Sequence, residues 1–367
     1  MNNLLYYNRS VSYFETTRRQ REKQTMDSAN QIINVVSVLE QEAKFPFLVR
    51  NKIDAMANVV LHGVEEAVHD LLIDNAANDY KGLDRDRDTE EEVEFAIRCF
   101  PGVLSRGIET NIGVKYPIAL LLYFNHGGDV FRCNVKAASF IPLLARLGIE
   151  LGQFEINERG GLLAEVEEGD NVLHFLVSTS DDSHDAEHHQ LVDDRFLGVL
   201  RRLRETNLLK KEDIQEHNLV LGLCQYDYFA KKRFQYLTDW DPNSLTYADD
   251  SDEKLPLHHA AHSTSIGGFR VVLKAGIHYF PKKKGIGLLF RKNGDGDTPF
   301  QLACEEHGKE EVMEVIESAL ADCSDNPCNI AHALISATVD EKIDLDGVYF
   351  LLRREPGVVR CCLQSTA

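Results

Sequence analysis

Apolar residues recur along most of the chain with the period of an amphipathic helix, and hairpin signals are few from about residue 30 onward. One short pattern, an apolar residue followed at +3 and +4 by two more, returns at intervals. Such a stripe forms the core-facing side of a short helix. The pattern occurs at Val93/Ala96/Ile97, Phe140/Leu143/Leu144, Phe196/Val199/Leu200, Phe269/Val272/Leu273, Val312/Val315/Ile316 and Val348/Leu351/Leu352.

A different helix precedes two of these stripes. Residues 255–261 read LPLHHAA and residues 298–304 read TPFQLAC, so that Pro256 and Pro299 are 43 residues apart. The same offset relates the stripes that follow the two segments. Two helices therefore repeat together, which is the sequence signature of a repeat array. Weaker copies of the first helix lie upstream, at 116–122 and 171–177.

The residues at the start of the first helix predict how it begins. Thr298 can accept hydrogen bonds from the amides of the first turn, and Pro299 suits a position where no N–H is needed. His258 and His174 occupy equivalent positions in two copies, which favours structural hydrogen bonds over catalysis.

Helix ends and stacking complete the predicted fold. Gly148 and Gly276 stand where a left-handed residue would end the second helix. A pair of short amphipathic helices cannot bury its apolar face alone, so it stacks on its neighbours. We therefore predict an all-α fold, an α-solenoid of stacked helix–loop–helix repeats with long inter-repeat insertions. About seven helix pairs span 31–360, between a flexible N-terminal lead (1–30) and a C-terminal tail (361–367).

The clearest repeat resembles the ankyrin-repeat family. Residues 296–308 read GDTPFQLACEEHG, which is similar to the family signature G-x-T-P-L-H-x-A-A…G-H, and residues 255–261 are a second match. The clear resemblance covers about 255–320, and degenerate copies extend it to roughly 90–360. Gln301 stands where the signature has histidine, and the spacings vary between about 30 and 55 residues. The resemblance implies an L-shaped helix–loop–helix stack with a concave protein-binding surface.

Composition narrows the class of partner. The 367 residues include 59 acidic and 40 basic ones, a net charge of −19. This acid excess argues against broad contact with nucleic acid or an anionic membrane. No apolar stretch approaches the roughly 18 residues of a membrane helix, no secretory signal is evident, and the eight dispersed cysteines indicate reduced thiols. We expect a cytoplasmic protein without cofactors, or a nuclear one if the basic cluster at 18–23 directs import.

We interpret three charged segments as insertions between repeats, which explains why the repeat spacing is irregular. Residues 278–292 carry five cations, residues 180–194 are acidic, and residues 81–92 form a mixed-charge run. Insertions in solenoids map to loops on one face and can carry partner selectivity, although loop growth by itself costs little stability. The candidate partner-binding residues are Lys282, Lys283, Lys284, Arg291, Lys292 and Asp295.

One histidine motif offers a catalytic alternative. His184, Glu187 and His188 fit the H-x-x-E-H pattern of an inverted zinc-protease motif, with the histidines one helical turn apart. No third ligand can be named, so an acidic loop that happens to bear histidines is the favoured interpretation. Cys323 and Cys328 offer a weaker zinc site, since a second compact pair of ligands is missing.

No combination of nucleophile, base and orienting residue is recognisable in the sequence. We therefore predict a non-enzymatic scaffold or adaptor that presents an extended surface to another protein. The alternative from a different class is a metal-dependent hydrolase that acts through His184, Glu187 and His188. A third interpretation is a degenerate array with a purely structural or assembly role.

Overall fold

The computed structural model describes residues 44–74, 80–110, 113–125, 131–166, 169–178, 186–226, 228–263, 265–280, 283–323 and Val348. Contacts divide the chain into two units, Met1–Ala67 and Val68–Ala367. The predicted lead (1–30) and tail (361–367) lie outside the described residues, so the predicted domain boundaries stay predictions.

Helices dominate the described residues, as predicted. Fourteen α-helices occur there: α1 (Phe47–Ile73), α2 (Glu90–Cys99), α3 (Pro117–Leu120), α4 (Ile141–Glu150), α5 (Val172–Val177), α6 (Ala186–Glu205), α7 (Asp213–Glu216), α8 (Leu219–Gly222), α9 (Lys231–Trp240), α10 (Pro256–His262), α11 (Ile266–Tyr279), α12 (Lys283–Gly287), α13 (Pro299–His307) and α14 (Lys309–Cys323). Short 3₁₀ turns occur at Pro101–Leu104, Ala138–Phe140, Pro242–Thr246 and Leu288–Phe290. None of the described helices is long and apolar enough to cross a membrane.

Two small hairpins were not predicted. Strands β1 (Ile108–Thr110) and β2 (Gly113–Lys115) pair antiparallel, and so do β3 (Tyr123–Asn125) and β4 (Phe131–Cys133). Each strand has three residues, which is too short for an alternating pattern to stand out in the sequence. The all-α prediction therefore holds for the bulk of the described fold and misses these hairpins.

The helices of Val68–Ala367 pack as consecutive pairs: α3/α4, α5/α6, α8/α9, α10/α11 and α13/α14. The first helix of each pair contacts the first helix of the next, through the series α3, α5, α8, α10 and α13. The second helices do the same, through α4, α6, α9, α11 and α14, with α2 packed against α4 ahead of them. Two adjacent layers of helices result, with the apolar core between and within them.

Burial confirms the predicted stripes. Their large apolar residues are buried wherever the structure describes them, while Ala96 is half-buried and the last stripe is described only at Val348, which is buried. The first-helix caps are confirmed as well. At the third helical position, Gln301, His258 and His174 each accept a hydrogen bond from the backbone N–H three residues earlier, at 2.9, 2.9 and 3.1 Å.

The predicted helix-ending role of Gly148 and Gly276 is wrong. Both lie inside second helices, which continue to Glu150 and Tyr279. A Cβ on Gly276 would lie 2.9 Å from the Leu288 side chain, and one on Gly148 would lie 2.9 Å from the Gly160 carbonyl oxygen. These glycines are required because the chain that follows the helix returns close to its backbone.

Two predicted insertion loops are also partly helical. The 278–292 segment begins inside α11 and then forms α12 and a 3₁₀ turn, in which Leu288, Leu289 and Phe290 are buried. Residues 186–194 of the acidic segment form the first half of α6. These segments contribute apolar side chains to the core, which is why they are not free loops.

Candidate interaction site

A cleft of about 420 Å³ opens on the second-helix layer. It lies between the start of α2, the 3₁₀ turn that precedes α4, and the exposed side of α6. Its lining residues are Arg85, Asp88, Thr89, Glu90, Ser139, Phe140, Asp194, Arg195, Gly198, Val199 and Arg202. Three guanidinium groups and three carboxylates therefore surround a space that a peptide side chain could enter.

The loop before α2 forms one wall of the cleft and is held by one bond within the loop and by two bonds to the segment that precedes α4. The Tyr80 hydroxyl donates to the Leu83 carbonyl oxygen at 2.7 Å and accepts from the Asn134 side-chain amide at 2.9 Å. Burial raises the pKa of Tyr80 to about 12, so the hydroxyl keeps its proton. The ammonium group of Lys136, in the segment that precedes α4, donates to the Asp84 carboxylate at 2.6 Å. Tyr80 and Asp84 therefore tie this wall to the segment that precedes α4.

Thr89 starts α2 with a complete capping box. The Glu92 backbone N–H donates to the Thr89 hydroxyl at 3.2 Å, and the Thr89 backbone N–H donates to the Glu92 carboxylate at 3.0 Å. This cap sets the direction of the first turn and places Glu90 at the rim of the cleft.

The carboxylates of the cleft are already engaged. Asp88 accepts from Arg87 at 2.7 Å, and Asp194 accepts from Lys232 at 2.5 Å. The Glu90 carboxylate accepts a hydrogen bond from each terminal nitrogen of Arg202, at 2.5 and 2.9 Å. This is the bidentate geometry that guanidinium groups favour. Among the described residues, the Arg85 and Arg195 guanidinium groups have no ion pair. Two of the three guanidinium groups that line the cleft therefore have no carboxylate partner, whereas all three carboxylates have a basic one.

A closed ring of charges lies beside the cleft and joins α2 to α4. Glu94 accepts from Arg98 at 2.8 Å and from Arg146 at 2.7 Å. Glu150 accepts from Arg98 at 2.6 Å and from Arg146 at 2.8 Å. The guanidinium groups hold the pKa of both glutamates below its usual range. The ring is solvent-exposed, so it orients the two helices more than it stabilises them.

The predicted docking residues lie elsewhere, around α12 and the turn before α13. Lys284 is exposed, with its ammonium 4.1 Å from the centre of the Phe280 ring. Lys292 and Asp295 are exposed, whereas Arg291 is half-buried and its carbonyl oxygen lies 3.0 Å from Nε2 of His258. No hydrogen bond or ion pair among the described residues joins these four side chains. Lys282 and the Lys283 side chain lie outside the described residues.

The histidine motif is only partly described. His184 lies outside the described residues, while Glu187 and His188 are in the first turn of α6. The His188 ring lies 6.2 Å from the ring of its neighbour His189, which stacks on Tyr228 at 4.4 Å. These contacts are typical of side chains packed on a helix surface, and the hydrolase hypothesis remains a prediction.

One other group has the composition of a metal site within the described part of the chain. Ligand atoms of Asp213, Glu216 and His217 lie within 4.8 Å of one another. However, both Asp213 oxygens accept from the Arg159 guanidinium, at 2.5 and 3.0 Å, and one of them also accepts from the Lys210 backbone N–H at 2.6 Å. Because Asp213 already neutralises an arginine, we assign this group a structural role.

Sequence reasoning missed the cleft as a site, although a signal for it existed. Arg85, Asp88 and Glu90 belong to the mixed-charge run 81–92, and Asp194 ends the acidic segment 180–194. The sequence presents the two segments as separate insertions, but packing of α2 and α6 against α4 brings them to one place.

Comparison with protein-family models, curated proteins and solved structures gave no match. Function must therefore be argued from the geometry of this chain.

Proposed function

We propose that the chain is a degenerate ankyrin-like array that acts as a non-enzymatic scaffold or adaptor for another protein. The observation that carries the proposal is the packing of consecutive helix pairs, first helix on first helix and second on second. This arrangement is expected of a repeat protein, in which each two-helix unit buries its apolar face against its neighbours. The capping box of Thr298 and the equivalent bonds made by His258 and His174 support a common repeat unit.

The cleft on the second-helix layer is the proposed docking position. Arg85 and Arg195 line it, while its carboxylates are paired with Arg87, Lys232 and Arg202. A guanidinium group binds a carboxylate or a phosphate with two parallel hydrogen bonds. The cleft therefore suits an acidic segment of a partner protein, whose binding should weaken as salt is added.

Charge reversal in the cleft tests this function. We expect the full-length chain to retain a partner in affinity capture, with cross-links to the rim of the cleft, and to lose it when Arg85→Glu and Arg195→Glu are combined. Arg270→Glu is the matched control, because Arg270 is an exposed arginine on α11, away from the cleft. Circular dichroism checks that each variant remains helical.

Two outcomes would contradict the proposal. Retention of the partner by the double variant, with cross-links around Lys284 and Lys292, would move docking to the originally predicted residues. Stoichiometric zinc together with hydrolase activity that His188→Ala abolishes would replace the scaffold by the metal-dependent alternative.

A further inference from the structure

Two arginines of α6 lie over two aromatic rings of α9 and form what we call the arginine–aromatic surface. The guanidinium carbon of Arg204 is 4.0 Å from the centre of the Trp240 ring and 5.7 Å from that of the Tyr236 ring. The guanidinium carbon of Arg201 is 5.8 Å from the centre of the same Tyr236 ring. Both arginines are exposed, and the half-buried rings pack against the core. The rings therefore hold two cations in place at the surface.

The hydrogen-bond donors of these arginines are unused. Contact with a ring orients a guanidinium group but gives its five N–H donors no oxygen acceptor. Within the part of the chain that the structure describes, neither the Arg201 nor the Arg204 side chain makes a hydrogen bond or an ion pair. Two oriented guanidinium groups are thus available to bind an oxyanion.

Three carboxylates are direct chain neighbours of this surface, and two of them have other partners. Asp239 accepts a hydrogen bond from the Tyr279 hydroxyl. An oxygen of Asp241 lies 3.3 Å from the Lys211 ammonium. The third carboxylate, that of Glu205, is exposed and forms no ion pair with a described residue. At most one carboxylate of the immediate surroundings therefore competes for the two guanidinium groups.

The arrangement suits a phosphate group better than a carboxylate. Both guanidinium carbons lie within 5.8 Å of one point, the centre of the Tyr236 ring. A phosphorylated side chain carries a charge of about −1.5 to −2 at pH 7 and three acceptor oxygens, which two guanidinium groups can share. With a net charge of −19, the chain repels an extended acidic segment, whereas a compact phosphate gains its attraction within the Debye length of about 8 Å.

The aromatic rings favour a peptide as the carrier of the phosphate. Tyrosine, tryptophan and arginine are the residue types that contribute most to binding in protein interfaces, and this surface combines all three. A nucleic acid needs a series of cations that follow its backbone, and this surface supplies two.

We propose that the arginine–aromatic surface binds a phosphorylated serine or threonine in a segment of a partner protein. The surface lies on the side of α6 that faces α9, whereas Arg202, which lines the docking cleft, pairs with Glu90 of α2. The inference therefore goes beyond the proposed function of the cleft and does not rest on it.

The single tryptophan of the chain reports binding directly, because Trp240 belongs to the surface. The full-length chain is titrated at constant ionic strength with the peptide Ala-Ala-Ser-Phe-Ala phosphorylated on its serine, and with two matched peptides that carry unmodified serine or glutamate. We expect a saturable change in Trp240 emission with the phosphopeptide. The dissociation constants of the other two peptides should be at least about tenfold higher.

Substitutions test the role of the two arginines. Arg201→Gln combined with Arg204→Gln should raise the dissociation constant of the phosphopeptide by more than about tenfold. Arg204→Lys should also raise it, because an ammonium group keeps the charge but loses the planar arrangement of donors. Arg270→Gln is the matched control, since Arg270 is an exposed arginine on α11, and it should bind like the wild type. Circular dichroism checks that each variant remains helical.

Three results would overturn the proposal. The first is equal affinity for the phosphorylated and unmodified peptides, or affinity that the double substitution leaves unchanged. The second is an emission change produced only by single-stranded RNA or by vesicles that contain a phosphatidylinositol phosphate, which would assign the surface to a nucleic acid or a lipid. The third is phosphopeptide binding that only Arg85→Glu with Arg195→Glu abolishes, which would place the phosphate in the cleft.

Discussion

The helix pairs are joined in two different ways in two regions of the molecule. In the middle pairs, α5/α6 and α8/α9, the contact between one pair and the next includes a buried ion pair between Arg233 and Asp193. Their side chains are 0% and 4% exposed. In the C-terminal pairs, α10/α11 and α13/α14, the helices meet through apolar side chains and the caps of α10 and α13 are local, while Nε2 of the neutral His258 also lies 3.0 Å from the Arg291 carbonyl oxygen.

Asp193, the acidic partner in this ion pair, caps α9 in place of a residue directly before the helix. Ala230 precedes α9 and has no side chain that could cap it. Asp193, from the neighbouring α6, accepts instead from the backbone N–H groups of Lys232 and Arg233, at 2.9 and 3.2 Å. Arg233 in turn donates to the Leu176 carbonyl oxygen at 2.6 Å, at the end of α5.

The comparison shows that helix pairs can pack in the same order while their helix caps come from different parts of the chain. Thr298 caps α13 from the position directly before the helix, so the cap is visible in the sequence. The cap of α9 comes from 40 residues away in the chain, so the sequence around α9 shows no sign of it. The middle and C-terminal pairs therefore differ in where the group that caps the second or first helix comes from.

The largest expected effect comes from breaking the buried pair. Asp193→Ala would leave Arg233 charged and buried, which should cost about 3–5 kcal/mol of the free energy of unfolding, measured by urea denaturation. Asp194→Ala is the matched control, because Asp194 is 48% exposed and its partner Lys232 is at the surface. Equal effects of the two substitutions would mean that the middle pairs do not depend on the ion pair.

The second effect concerns His258 of the C-terminal pairs and depends on pH. Burial lowers the pKa of His258 to about 4, and Nδ1 accepts the Leu255 N–H, so the neutral ring is the folded form. The unfolded chain, with a histidine pKa of about 6.5, binds the proton first. Stability should therefore fall as the pH drops from about 6.5 to about 4, by up to about 3 kcal/mol from this residue.

Two variants isolate that contribution. His258→Gln can keep the bond to Leu255, as Gln301 does to Thr298, and removes the titration. His258→Leu removes both the hydrogen bond to Leu255 and the titration. The difference in unfolding free energy between wild type and His258→Gln should shrink on acidification. A difference independent of pH would show that His258 is not buried as a neutral ring. Other histidines, such as the half-buried His259, whose pKa is also lowered by burial, titrate equally in wild type and variant and cancel in this difference.

The smallest expected effect is the loss of a local cap. Thr298→Ala removes the acceptor of the Gln301 N–H and should cost about 1 kcal/mol in the same denaturation assay. Ser265→Ala is the control, because Ser265 precedes α11 without making a side-chain cap bond and should lose much less. If Ser265→Ala matched Thr298→Ala, the contrast between the local caps of the C-terminal pairs and the distant cap of α9 would lose its energetic basis.

The fold was predictable where a feature depends on neighbours in the chain. The apolar stripes at Phe269 and Val312, the cap at Thr298 and the bonding role of His258 could all be predicted, because each depends on residues three or four positions away. The roles of Gly148 and Gly276 were mistaken, because a glycine needed for close approach looks the same in sequence as one that ends a helix.

The candidate site was not predictable in the same way. Arg85 and Arg195 are 110 positions apart, and only the packing of α2 and α6 brings them to one cleft. The predicted residues of the 278–292 segment share a short stretch of chain, but its apolar side chains are drawn into the core and no polar contact among the described residues connects its exposed charges.

By itself, the sequence determined that this protein is built mainly of short amphipathic helices, because helical periodicity and helix capping are local properties. Only the tertiary structure decided which pairs depend on the buried Arg233–Asp193 ion pair and where charges gather into a cleft. Both outcomes depend on contacts between distant residues, and the free-energy cost of a buried charge is set only by its folded surroundings.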